Sequence, residues 1–236
     1  SDAGAEERHS FEFQTHPPLP GFVQSYEVTG SGSTEYRLFD HSTTPAITDS
    51  GMFAVDASGT TRFYLPSPGE QTLTAAHLKP PAGVRLLDDG TLMYVQNTRL
   101  LVVDELGKTV LDLDPTSVGV AAFHHDALRL PNQNYLILGH EFGDFPDPQN
   151  PGQTLHIVGD NIVEVTPGGQ KVWEWSSFAH LDVTRMLGPD NLAPIENPQT
   201  GKTGLDWSHG NGIVYSEADG GILLRLRHQD WLIKIH

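Results

Sequence analysis

The sequence predicts an all-β fold, a β-propeller of four-stranded antiparallel blades, on three observations. Apolar runs are short, rich in Val, Ile, Leu, Tyr and Trp, and broken by Gly, Asp, Asn and Pro. The 24 glycines and 17 prolines are too many for a helical bundle. With 37% hydrophobic residues, the composition is also not biased enough for disorder. Lastly, one strand layout recurs along the chain, as propeller blades require.

Residues 1–50 read as an N-terminal extension or the start of the first strands, and 51–236 as propeller blades. A faint unit lies around Met52 to Leu65. The first clear unit runs Gly83 to Leu87, turns at Asp88-Asp89-Gly90 and continues Thr91 to Val95. A second strand pair, Arg99 to Asp104 and Lys108 to Leu113, turns at Glu105-Leu106-Gly107. The next unit begins at Phe123 to Leu130, turns at Pro131-Asn132-Gln133-Asn134 and continues Tyr135 to Leu138. Its later strands are Asn161 to Val165 and Lys171 to Trp175, joined at Thr166-Pro167-Gly168-Gly169. The last unit begins near His209, turns at Ala218-Asp219-Gly220-Gly221, continues Ile222 to Leu224 and adds Asp230 to Ile235. A simple meander in a β-sandwich is the alternative architecture.

The last unit stops after its third strand, whereas earlier units go on to Val110-Leu111-Asp112-Leu113 or Val172-Trp173-Glu174-Trp175. The units amount to about half to two-thirds of a closed ring. An open ring leaves long strand edges bare. The expectation is that further polypeptide, in another chain or a missing piece of this one, completes the fold.

Lys and Arg number 14 against 30 Asp and Glu, a formal charge of −16. That argues against a nucleic-acid partner or an anionic membrane surface. No stretch approaches the roughly 18 apolar residues of a membrane span. With no cysteine, disulfides, zinc knuckles, thiolate catalysis and iron–sulfur sites are excluded. The opening Ser1-Asp2-Ala3-Gly4-Ala5 suits a chain already processed, and a periplasmic or secreted location is expected, although an expression remnant would look similar.

Twelve histidines are many for this length, and the repeat places several of them. His124 and His125 precede the turn marker Gln133, and His209 precedes Gly220, each at the start of a unit's first strand. His140 follows Gln133 by seven residues and Arg227 follows Gly220 by seven, with His228 next; both places are second-strand ends. Antiparallel neighbours bring the start of one strand to the end of the other. His124, His125, His140, His209 and Arg227 should therefore gather at one mouth of the central channel. His9, His16, His41 and His156 read as ordinary packed or surface residues, and His77 lies too early in its unit to assign. Ser176 to Leu205, with His180 and Arg185, reads as a connection over the same region, or simply an insertion.

A mouth of His and Arg suits an anion. Arg offers a planar fork of donors for sulfate, phosphate or carboxylate. Imidazoles donate hydrogen bonds, shuttle protons or attack as nucleophiles. On a chain of charge −16, an anionic substrate needs such a local cationic pocket. A divalent metal held by the histidines with Asp126 and Glu141 is the other option, and the Arg weakens it.

Phe123-His124-His125-Asp126 followed by Leu130-Pro131-Asn132-Gln133-Asn134-Tyr135-Leu136 resembles the His-His-Asp segment of the bacterial arylsulfate sulfotransferases. Asp206-Trp207-Ser208-His209-Gly210-Asn211 resembles their Asp-x-x-His-x-Asn segment. Leu223 to Ile235 resembles their Arg-His segment, although Arg225 and Leu226 stand where two serines are usual. The three segments occur in family order over about residues 80–236, and residues 1–80 match weakly or not at all.

The resemblance implies a six-bladed propeller. It implies sulfuryl transfer from an aryl sulfate to a phenolic acceptor through a sulfohistidine, with no nucleotide sulfate donor and no cofactor. His125 (or its neighbour His124), His209 and Arg227 would be the catalytic residues by motif position, with His124, His140, Asn211 and His228 around the substrate. The family's nucleophilic His follows the Arg-His segment, so it is expected on polypeptide beyond this sequence; His236 matches no motif. A propeller metalloenzyme or hydrolase, or a non-catalytic propeller binding an anion or a protein, are the competing readings.

Overall fold

The computed structural model describes residues 36–42, 50–66, 81–185 and 193–236. His9, His16 and His77 lie outside the described residues. The fold is all-β with several antiparallel sheets.

β1 (Arg37–Ser42), β2 (Ser50–Val55) and β3 (Thr61–Pro66) form a three-stranded meander. β4 (Ala82–Leu86), β5 (Leu92–Gln96), β6 (Arg99–Val103) and β7 (Thr109–Leu113) form a four-stranded one. The third sheet orders β8 (Ala122–Arg129), β9 (Tyr135–Pro146), β10 (Thr154–Val165) and β11 (Lys171–Ser176) as neighbours. β12 (Pro194–Glu196) and β13 (Thr203–Asp206) extend it, with β13 parallel to β10. β14 (Gly210–Tyr215), β15 (Ile222–Leu226) and β16 (Trp231–Ile235) form the last sheet.

The turn signals have a common physical form. In five hairpins the first turn residue donates its N–H to the carbonyl four residues on, and accepts from the residue three on. That third-on residue sits at positive φ: Gly59, Gly90, Gly107, Gln133 and Gly169. This is a type I turn closed by a left-handed residue, where glycine fits best. Gln133 takes the glycine's place at φ 71°. The Ser216 turn is one residue longer, with Gly220 at positive φ.

Strand alternation then stacks the sheets. Tyr135 and Ile137 of β9 face a core shared with Met93, Val95, Leu100 and Val102 of the second sheet. Leu136 and Leu138 face the other way, onto Ile213, Ile222, Leu224 and Leu226 of the last sheet. The third sheet is thus buried on both faces, which is why its strands read as nearly unbroken apolar runs. Met52 joins Leu92, Tyr94 and Val103 in a further core between the first and second sheets.

Two expectations are refined. His140 is not at the end of its strand, because β9 runs on to Pro146 and pairs with β10 from Thr154. Phe142 stacks on His156 and Phe145 packs on Phe178 along this extension, giving the long hairpin its own contacts. The segment after Ser176, read as a connection or an insertion, carries elements of its own. It holds α1 (Ser177–His180), β12 and β13, and it is fastened to both flanking sheets. Gln199 donates to the Ala121 carbonyl at 2.5 Å, and Arg185 donates to the Gln229 carbonyl at 2.7 Å.

Candidate active site

The site is built on irregularities at the starts of three first strands. β4 bulges between Ala82 and Arg85, β8 between Phe123 and Ala127, and β14 between Gly210 and Gly212. Bulges re-aim side chains and recur beside active sites. The β8 bulge contains His124, His125 and Asp126, and the β14 bulge contains Asn211.

His125 and His209 both hold positive φ, 55° and 51°. A non-glycine residue there costs of order 1–3 kcal/mol and persists only where its surroundings fix it. Asp126 does the fixing for His125. Its Oδ1 accepts from Arg85 at 2.9 Å and its Oδ2 accepts from the Ile213 N–H at 3.0 Å, tying three sheets together. Arg85 also donates to the Ala127 carbonyl at 2.7 Å. Gly83 clears the approach, since a Cβ there would lie 2.9 Å from the His125 carbonyl oxygen.

Five imidazoles form a continuous row across two sheets. His140 stacks on His124 at 3.8 Å between ring centroids, and His124 meets His125 edge to face at 5.2 Å. His125 meets His209 at 5.1 Å, and His209 meets His228 at 4.7 Å. Arg227 follows β15 directly and donates its backbone N–H to the His209 carbonyl at 3.0 Å; its side chain is exposed. Asn211, half-buried, is the extra residue of the β14 bulge.

Carboxylates set the ring orientations. His209 Nδ1 donates to Asp206 Oδ2 in a short hydrogen bond, leaving Nε2 as the ring's free position. His228 Nδ1 donates to the Asp206 carbonyl at 2.6 Å. Behind the row, Asp160 is 1% exposed. Its Oδ2 accepts from the Ser208 hydroxyl and from the Gly210 N–H at 2.7 Å. Its Oδ1 lies 3.0 Å from His124 Nε2, out of line for a straight hydrogen bond, and among the described residues neither atom has another hydrogen-bond partner. Burial acts to raise the Asp160 pKa, yet His124, His140 and Ser208 outweigh it and hold the group below the usual carboxylate range. His125 is pulled down to about 4, first by loss of water around the ring and then by repulsion from His124 and His209. It is neutral at neutral pH and available as a base, nucleophile or hydrogen-bond donor.

The carboxylates weighed as metal ligands are otherwise engaged. Asp126 is taken up as described, and Glu141 accepts from Ser176, Ser177 and the Phe178 N–H at 2.7, 2.9 and 3.1 Å. Burial pushes the Glu141 carboxyl up, against those donors. Two other trios do bring ligand atoms within 4.8 Å, His124 with His140 and Asp160, and Asp206 with His209 and His228. In the first trio the two rings are only 23° from parallel at 3.8 Å. A metal lies near the plane of each imidazole it binds, and it cannot lie in both of these planes. In the second, both Nδ1 atoms already face Asp206 oxygens.

Of the histidines read as ordinary, His156 pairs with Asp144 at 2.6 Å on the hairpin extension. His180, on the connection, donates to the Ser176 carbonyl at 2.8 Å and stacks on Trp175. Asp160 and Ser208, which pack behind the row, were not among the residues singled out from the sequence. The signal for Asp160 was a Gly159-Asp160-Asn161 trio inside the apolar run Ile157 to Val163.

A family model described as Arylsulfotransferase (ASST) matches residues 24–236. No curated protein matches. Among solved structures, a protein of unknown function from Bacteroides caccae is similar at 10% identity and TM-score 0.42, over 86% of this chain and 69% of that one. MPT-1, a GDP-Man-dependent mannosyltransferase from Leishmania mexicana, is similar at 12% identity and TM-score 0.42, over 85% of this chain and 63% of that one.

Proposed function

The chain belongs to the arylsulfotransferase family, and from that premise we propose that it moves a sulfuryl group from an aryl sulfate to a phenolic acceptor, through a sulfohistidine and without a nucleotide donor. The observation that supports this reading is the row His140–His124–His125–His209–His228, with Arg227 joined to it at the His209 carbonyl. In this reading the sheets are propeller blades, further polypeptide completes the ring, and the protein works in the periplasm or outside the cell. No helix among the described residues is long and apolar enough to cross a membrane.

The chemistry follows from charge. A transferring sulfuryl group keeps negative charge on its oxygens, and fixed cationic or N–H donors stabilise that charge where water is reduced. The Arg227 guanidinium is the donor we assign to those oxygens, and His209, oriented by Asp206, lies beside it. Asn211 and His228 flank them. His125, neutral and at the centre of the row, exchanges the phenol proton, giving it to the departing aryloxide and taking it from the acceptor. His124 and His140 support it.

The test is to give the full-length protein 4-nitrophenyl sulfate with and without phenol. Acceptor-dependent release of 4-nitrophenol, with phenyl sulfate found by mass spectrometry, supports transfer. Release of inorganic sulfate regardless of acceptor would instead make the protein a hydrolase, and binding without turnover would make it an anion-binding module.

A further inference from the structure

We propose that Asp160 and His124 form a proton relay behind His125, so that the proton exchanged with phenol at His125 comes to rest on His124. The inference rests on the sulfuryl-transfer reading and adds where the proton goes.

The geometry is a line of three groups. Asp160 Oδ1 is 3.0 Å from His124 Nε2, and His124 Nδ1 is 3.0 Å from His125 Nδ1. Two facing Nδ1 atoms share one hydrogen, carried by either ring. That contact occupies the inner nitrogen of His125, and its Nε2 is the remaining one, on a residue with an exposed side.

Proton transfer through this line balances without moving His125 off neutrality. When the acceptor phenol gives its proton to His125 Nε2, the Nδ1 proton of His125 passes to His124 Nδ1. The phenol oxygen, holding the electron pair of its broken O–H bond, forms the new O–S bond. The bond between sulfur and the nucleophilic imidazole breaks, and its pair returns to that nitrogen. The donor half-reaction runs the other way. The nucleophilic imidazole bonds to sulfur as the S–O bond breaks with its pair on the aryl oxygen, which takes the Nε2 proton of His125 while His124 returns its Nδ1 proton.

Asp160 is what lets His124 hold the charge. A buried carboxylate is costly unless its charge is used. The bonds from Ser208 and Gly210 go to Oδ2 and would be satisfied equally by the carbonyl of an asparagine. Among the described residues Oδ1 has no hydrogen-bond donor; it lies against His124 Nε2, with His140 near. Surroundings that disfavour a charge on His125 fit a group that passes protons rather than stores them.

The experiment compares donors rather than overall rate. Phenyl sulfate releases a basic phenoxide that needs a proton, whereas 4-nitrophenyl sulfate releases an acidic phenol that does not. In full-length protein, Asp160→Asn and His124→Gln should each lower kcat/KM for phenyl sulfate by roughly 10²-fold more than they lower it for 4-nitrophenyl sulfate. Equal losses on both donors, from variants with unmutated circular dichroism, would overturn the relay and mark Asp160 as structural. If Asp160→Asn fails to fold, His124→Gln makes the same discrimination one link further on. Absence of turnover by the unmutated protein would remove the sulfuryl-transfer reading, and the relay with it.

Discussion

His125 of β8 and His209 of β14 belong to different sheets, yet their rings meet edge to face with centroids 5.1 Å apart, each on a backbone at positive φ. Their strands are joined by Asp126, whose carboxylate accepts from the β14 backbone at Ile213. The contact between the rings is therefore held by the frame and does not depend on the rings themselves.

Asparagine tolerates the left-handed backbone, so His125→Asn and His209→Asn should fold while losing the imidazole. Each is expected to lower sulfuryl transfer by about 10²–10⁴-fold. The double variant should lose little more than the worse single one, because the rings act as a unit. A steady-state double-mutant cycle checks this, and full additivity would separate their roles.

Asp206→Asn keeps the carbonyl that serves His228 but replaces the carboxylate that fixes the His209 tautomer. An amide in that place can reverse which ring nitrogen carries the proton. The expected result is a fall in kcat of about 10³-fold with KM nearly constant. A change confined to KM would show that Asp206 orients substrate instead.

Gly83→Ala places a Cβ 2.9 Å from the His125 carbonyl oxygen on a backbone at φ 62°. Both neighbour and conformation are backbone features that cannot move cheaply. A stability loss of about 1–3 kcal/mol is expected in urea unfolding, with activity falling as well. A neutral effect would mean that the His125 bulge is adaptable.

Asp126→Ala removes the acceptor for the Ile213 N–H, which is left buried, and frees Arg85, which can turn to water. The buried amide sets the cost at about 1–3 kcal/mol. Arg85→Ala should cost less, since its side chain is 42% exposed. Denaturant midpoints of the two variants decide the order.

His125 supplies a pH dependence with a definite sign. Its folded pKa of about 4 lies below the ordinary 6.5, so over that window the unfolded chain binds a proton that the folded one refuses. This contribution to stability is intact above 6.5 and is lost as pH falls toward 4. The drop in urea midpoint between these two pH values should be smaller in His125→Asn than in the unmutated protein. An equal drop would assign the acid sensitivity to other groups.

Much of the frame was legible locally. Gly90, Gln133 and Gly169 mark turns whose hydrogen bonds span only three or four residues, so a short stretch of sequence contains their whole cause. The positions of His124, His125 and His209 relative to those turns follow from counting along the repeat, whereas the β8 bulge that breaks the period of two at His124 and His125 does not. The hairpin that carries β9 on to Pro146 was not legible, because its support comes from Phe178 and His156 and from strands laid beside it later in the chain.

The sequence by itself determined an all-β chain of recurring hairpins, the family, and the set of histidines that the fold brings into one row, since turn chemistry and motif spacing are short-range properties. Only the tertiary structure decided which groups each of those histidines meets. Asp160 stands 48 residues before Ser208 and 36 after His124, and no local pattern says that one of its oxygens serves the frame and the other an imidazole. That division arises because stacked sheets bring a buried carboxylate between two bulged strands, where an unpaired charge must find a partner or be excluded.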